Sequence, residues 1–311
     1  MPTANDAAEL RVLVLSDNRP GHYNLSKGIV AAIATHRPVA QTWLEVRRGR
    51  WPGWLTAAAT NANVSPAQIL SWIYGLSADA VPPADLIVSA GAETLAANIA
   101  IARLQSIPNI FYGSLRRFRP RDFALVLTSY QPPSGVRNIV QTLKPSAHPH
   151  RPLSAHSAGP RYGLLVGGPT SGIDYTLEDW SKLIAAIKAT TADEGITWLV
   201  SNSRRTPADA STRIADLAAT HPSPIEKFLD VRSSSAGSLE GLLERSSAVV
   251  VTADSSSMIS EAIWAGRPVI AVTPAQFKLT ANERGYRQWL ADRGWLAETT
   301  IQNLTGDTVR R

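Results

Sequence analysis

Short runs of valine, leucine and isoleucine recur along this chain, and most end in a turn signal followed by a helical stretch. Residues 10–15 read LRVLVL and residues 248–251 read AVVV. A strand with water on one face alternates polar and apolar residues, whereas a run this continuous is buried on both faces. That requires a parallel sheet layered between helices. In the first half, further strands are expected over residues 85–88, 109–112 and 123–127, with helices over 25–34 and 93–103. In the second, strands over 162–166, 196–201, 228–230, 248–251 and 268–272 alternate with helices over 177–190, 208–219, 239–246 and 258–265.

At 311 residues the chain exceeds what one core usually supports, so two domains are expected. Between residues 128 and 160 the pattern loosens into a stretch rich in proline, serine and histidine. A boundary over residues 152–160 follows, giving domains 1–155 and 156–311. Helical stretches after the last clear strand, including residues 282–293, are expected to cross back to the first domain.

The absence of cysteine excludes disulfides, thiolate nucleophiles and cysteine-ligated metals. His148, His150 and His156 lie in the loosened stretch without a carboxylate set beside them, so no metal site is expected. The N-terminus lacks a signal-peptide pattern, and no window is apolar enough to span a bilayer, so cytoplasmic residence is expected with any membrane contact peripheral. A net charge of +6 is spread over small arginine clusters, suited to an anionic or phosphorylated partner. Nucleic acid is disfavoured because no zinc-finger spacing or RNA-binding module accompanies the charge.

The candidate chemistry lies where expected strands end. After the 248–251 strand comes TADSSSMISEAIWAGRP, in which a helix starts just past Asp254. Unpaired amides at that start, with the hydroxyls of Ser255, Ser256 and Ser257, suit an anion; ordinary capping by Asp254 or Ser255 is the alternative. Glu261 follows two turns on, and its carboxylate suits the paired hydroxyls of a ribose unless it is a surface residue balanced by Arg267. The loop GGPTSG supplies Gly167, Gly168, Thr170 and Ser171 near a phosphate, or is merely a turn. Arg204 and Arg205 can neutralise a diphosphate, or sit in a solvated turn. After the first strand, SDNRPGHYN carries His22, a candidate general base, with Asp17 to orient or replace it; a surface histidine beside a turn is the alternative. Trp43, Trp51, Trp54 and Trp72, interspersed with Arg47, Arg48 and Arg50, read either as core packing or as an apolar acceptor groove or membrane-facing patch.

Taken in order, SDNRPGHYN, DLIVSAGAET, LLVGGPTSG, SNSRRTP and TADSSSMISEAIWAGRPV resemble the family named after the plant mitochondrial-fission, elongated-mitochondria protein. That resemblance implies two facing Rossmann-like domains of the glycosyltransferase-B type. It further implies an inverting, metal-independent transferase that takes a sugar from a nucleotide-diphosphate donor, needs no other cofactor, and works at the cytoplasmic face of the inner membrane. The acceptor would be lipid-linked or an envelope saccharide. By analogy with bacterial transferases that act on lipid-linked acceptors, Glu261 would take the ribose, Gly167 and Gly168 the diphosphate, and His22 the acceptor side. SEAIWAGRP matches their pattern at Ser260, Glu261, Gly266 and Pro268, whereas Tyr23 and Leu25 depart from the polar residues expected in the fission-named family. A noncatalytic scaffold with this fold and a sugar-nucleotide epimerase are the alternatives.

Overall fold

A computed structural model describes residues 8–147, 160–233 and 238–310. The chain divides into two units, Met1–Ala147 and His148–Arg311. Most of the expected boundary stretch, and His148, His150 and His156, lie outside the described residues.

The first unit holds six parallel strands: β1 (Leu10–Ser16), β2 (Val39–Glu45), β3 (Leu86–Ala90), β4 (Asn109–Tyr112), β5 (Leu125–Thr128) and β6 (Ile139–Gln141), in the order β2-β1-β3-β4-β5-β6. Its helices are α1 (Pro20–Ala34), α2 (Gly53–Asn61), α3 (Pro66–Tyr74) and α4 (Leu95–Gln105). The apolar run of β1 serves both faces of the sheet. Leu13 and Leu15 join a core with Ile69 and Leu70 of α3 and Ile99 of α4, while Val12 and Val14 pack with Ile29 and Val30 of α1.

The second unit repeats the plan with β7 (Arg161–Leu165), β9 (Thr197–Ser201), β10 (Ile225–Leu229), β11 (Ala248–Thr252), β12 (Val269–Thr273) and β14 (Leu296–Thr300), in the parallel order β10-β9-β7-β11-β12-β14. Two short strands, β8 (Ile173–Asp174) and β13 (Gln276–Phe277), pair antiparallel. The helices are α5 (Leu177–Glu194), α6 (Ala208–Ala218), α7 (Leu239–Arg245), α8 (Ser256–Trp264), α9 (Ala281–Ala291) and α10 (Gly306–Arg310). In the tail, α9 packs on β14 and α10 on α5.

In both sheets the chain lays strands outward on one side, then returns to the middle and proceeds the other way. The switch falls between β1 and β3 in one sheet and between β7 and β11 in the other. Strand ends at such a switch leave a crevice, where open α/β sheets bind ligands.

The differences from the sequence reading have local causes. Strands β2, β6 and β14 were not expected, and all three are sheet edges. Helix α1 starts at Pro20 rather than residue 25, because proline at the first helical position has its φ already set and needs no amide partner. His22 therefore sits in the first turn of a helix rather than in a loop. No helix among the described residues is long and apolar enough to cross a membrane.

Candidate functional site

In the second unit the switch is organised by a residue that the sequence reading treated only as a cap. The Asp254 side chain is fully buried. It accepts from Gly168 N (3.1 Å), the Tyr175 hydroxyl (2.9 Å), the Thr252 hydroxyl (2.8 Å) and the Arg205 guanidinium (2.7 Å). Gly167 N in turn donates to Thr252 Oγ1 at 2.6 Å. Burial, with the Asp254 charge alongside, raises the Tyr175 phenol above its ordinary value and keeps it a donor.

These bonds change the meaning of the glycines. A Cβ on Gly167 would come within 2.1 Å of an Asp254 carboxylate oxygen, and one on Gly168 within 2.0 Å of the Arg205 carbonyl. Their lack of side chains makes room for the protein's own groups, and their amides already have internal acceptors. Thr170 and Ser171 follow in a tight turn, where Thr170 N donates to Ile173 O at 2.9 Å and Ser171 is exposed.

Other groups face outward. Arg204 is exposed and has no partner among the described residues. Arg205 spends one guanidinium nitrogen on Asp254, and its side chain is 45% exposed. Ser255 caps α8 by accepting from Met258 N at 3.4 Å, so the helix starts where expected. Ser256 donates to the Glu283 carboxylate from α9, and Ser257 is exposed. Arg287, also from α9, is buried and braces this end of β11 through the Ala253 carbonyl and Glu298. Nothing in the local sequence marked it.

Glu261 is half-buried and has no hydrogen-bond or ionic partner among the described residues. Arg267 does not balance it; that guanidinium is buried and donates to Leu243 O at 2.8 Å and Glu244 O at 3.3 Å. Asp254 precedes α8 and turns inward, away from Glu261's place on the helix. Burial without a partner pushes the Glu261 carboxyl up to about 7. Such a group accepts hydrogen bonds strongly once it ionises.

In the first unit the switch holds His22 and Asp17. His22 Nδ1 lies 2.8 Å from Asp17 Oδ2, whose side chain is 3% exposed while the imidazole is 30% exposed. Gly91 follows β3 at φ +91°, and a Cβ there would meet His22 Nδ1 at 2.2 Å. The ring is therefore wedged between a buried carboxylate and a bare backbone. With Nδ1–H donated to Asp17, Nε2 carries the free lone pair of a general base.

The tryptophans divide. Trp43 stacks on Tyr23 with ring centroids 4.2 Å apart, and Trp51 packs against the core. Trp54 on α2 and Trp72 on α3 are 57% and 56% exposed. Arg48 is committed to Glu93 at 2.9 Å and Arg47 lies 3.9 Å from the Glu45 carboxylate; Arg47 and Arg50 are the exposed cations of that cluster.

Solved structures share this fold over nearly the whole chain. A UDP-N-acetylglucosamine 2-epimerase from Methanocaldococcus jannaschii aligns at 13% identity and TM-score 0.55, covering 97% of this chain and 92% of that one. MurG from Acinetobacter baumannii aligns at 13% identity and TM-score 0.53, covering 96% and 88%. The Neisseria meningitidis UDP-N-acetylglucosamine 2-epimerase bound to its UDP-sugar aligns at 13% identity and TM-score 0.53, covering 97% and 91%. These likenesses establish two Rossmann-like domains of the glycosyltransferase-B type. No curated protein matches the chain in sequence. The model of the family described as Mitochondrial fission ELM1 matches residues 20–306, taking in both units and every candidate residue except Asp17, and the chain belongs to that family.

Proposed function

We propose that the protein is a glycosyltransferase that takes a sugar from a nucleoside diphosphate donor and passes it to a lipid-linked or envelope saccharide acceptor. The observation that carries this reading is the second switch, where Arg204, half-exposed Arg205 and the α8 start lie on the same unit as Glu261, Arg204 and Glu261 having no partner among the described residues. Arginines and helix amides answer a diphosphate, and an ionised carboxylate answers the two ribose hydroxyls. Because the amides of Gly167 and Gly168 are already bonded, the loop acts by shaping the crevice.

In the proposed reaction the acceptor hydroxyl attacks the anomeric carbon as the bond from that carbon to the diphosphate oxygen breaks. His22 Nε2 takes the hydroxyl proton, Asp17 steadies the resulting imidazolium, and the arginines stabilise the departing diphosphate. Single displacement of this kind inverts the anomeric centre. UDP-N-acetylglucosamine 2-epimerases among the structural neighbours favour a second reading, conversion of a UDP-sugar without any acceptor. Product mass from a donor and acceptor screen separates the two. A protein that binds donors but yields no product across broad acceptor libraries would match a scaffold.

Calorimetry with UDP-, GDP-, ADP- and CDP-linked sugars should find one that binds, and Arg204→Ala should weaken it by about tenfold or more. The diphosphate diester does not titrate near neutrality, so any pH dependence reports the protein. Glu261 is protonated below about 7 and must ionise to accept both hydroxyls. Affinity should therefore rise by about tenfold from pH 6 to pH 8. Glu261→Gln should flatten that rise; binding by none of the four classes, or a fall with pH, would refute the donor site.

For the acceptor we propose a membrane surface. Trp54 and Trp72 are exposed on consecutive helices, and Gly49 N donates to Ile73 O at 2.8 Å, which holds the arginine-bearing loop against the end of α3. Aromatic rings at headgroup level and cations over anionic lipid are complementary. The protein should co-sediment with anionic liposomes, less so with added salt, and Arg47→Ala/Arg50→Ala should reduce attachment several-fold. Equal, negligible sedimentation with anionic and neutral liposomes would leave a soluble acceptor.

A further inference from the structure

We propose that an open hollow at the amino-terminal ends of β5 and β6 binds a phosphorylated ligand through Arg119, Arg121 and Arg137. The hollow has a volume of about 750 Å³, and Pro120, Phe123, Gly135, Val136 and Asn138 complete its lining. Its walls are the segments that lead into the two strands. In a parallel sheet those segments lie at the edge opposite His22 and Gly91, so the hollow is separate from the switch of its own unit.

The walls are built rather than loose. Asn138 Nδ2 donates to the carbonyls of Pro120 and Phe123, both at 2.8 Å, tying one wall to the other. Phe123 is buried, and its amide closes a turn on Pro120 O at 3.0 Å. A fork of donors on so fixed a frame loses little freedom when an anion arrives.

Charge is equally one-sided. Residues 114–140 contain five arginines and a single acid, Asp122. Asp122 turns away from the hollow to Arg103 at 2.8 Å. Elsewhere Arg11, Arg161 and Arg205 each hold a carboxylate within 2.6–2.7 Å. Arg119, Arg121 and Arg137 have none among the described residues. Three guanidinium groups around one concavity repel each other, and a phosphate that accepts from them in pairs offsets the repulsion. The same chemistry fits a free phosphorylated metabolite or a phosphorylated lipid headgroup.

Inorganic triphosphate is the probe, titrated calorimetrically into the full chain at low and at physiological salt. Two sites are expected, one here and one at the second switch. Arg121→Ala/Arg137→Ala, both exposed positions, should abolish the first or weaken it at least tenfold while leaving the other, and Arg204→Ala/Arg205→Ala should do the reverse. If the switch does not bind, a single site lost only in the Arg121/Arg137 variant still supports the hollow. Arg121→Lys/Arg137→Lys should retain weakened binding. Phosphatidylcholine vesicles with and without phosphatidic acid then assign the source: sedimentation that the Arg121/Arg137 variant loses means a headgroup, and triphosphate binding without it means a soluble ligand. Triphosphate titrations unchanged in the Arg121/Arg137 variant would overturn the proposal.

Discussion

Asp254→Ala should destabilise the second unit by about 2–6 kcal/mol, the sum for two hydrogen-bond donors left buried without an acceptor. The side chain is inaccessible to water and takes four donors from four places: Gly168 N, the Tyr175 and Thr252 hydroxyls, and Arg205. Arg205 is 45% exposed and can turn to solvent, so its loss contributes little. The cost comes from the Gly168 amide and the Tyr175 hydroxyl, at about 1–3 kcal/mol for each donor left buried and unpaired. Asp254→Asn keeps one acceptor but points an amide at groups that also donate, so an intermediate loss is expected. Gly167→Ala attacks the same contact from the other side, since its Cβ would stand 2.1 Å from the carboxylate. Amide hydrogen exchange in β7, β9 and β11 reads the effect within the second unit. A change in protection worth less than about 1 kcal/mol for Asp254→Ala would mean that the cluster adds little to stability.

The central strands were legible because burial on both faces leaves a continuous apolar run. Strand β11 is buried at all five positions. Three of the four edge strands of the two six-stranded sheets, β2, β6 and β14, were not. In β2, VAQTWLE, Gln41, Thr42 and Glu45 are exposed, and β14, LAETT, has three exposed residues. An edge strand needs less apolar surface, so its sequence looks like the loops around it. Helices α2 and α3 were hidden for another reason: tryptophans and arginines crowd the segment before them, and composition there suggests a surface patch as readily as a helix pair.

The site was legible as a set of strand ends but not as a bonding pattern. Small polar residues after apolar runs located both switches. Three of the four partners of Asp254 lie 49, 79 and 86 positions away at Arg205, Tyr175 and Gly168, and no local spacing connects them. The sequence alone also left open whether the glycine loop serves a phosphate or is merely a turn. Only the packing shows that Asp254 and the Arg205 backbone take the space beside the glycines.

His22→Ala should lower turnover by about 10²–10⁴-fold, the usual worth of a positioned general base, while leaving donor affinity within about twofold. The split is expected because His22 and Asp17 belong to the first unit and the proposed donor groups to the second. Asp17→Asn should cost less: an amide can still hold the ring, but it offers Nδ1–H a weaker acceptor and stabilises the imidazolium poorly. Gly91→Ala tests position without removing the base. Its Cβ would come within 2.2 Å of Nδ1, at a φ of +91° that alanine rarely adopts, so the ring must leave its place beside Asp17. If Nε2 acts as the base, this variant should approach the His22→Ala rate although the imidazole is present. Initial rates by product mass, with calorimetry of the same donor as the control, separate the cases. Turnover within twofold of the unaltered protein in His22→Ala would exclude the histidine as base. A rate unchanged in Gly91→Ala but collapsed in Asp17→Asn would move the role to the aspartate.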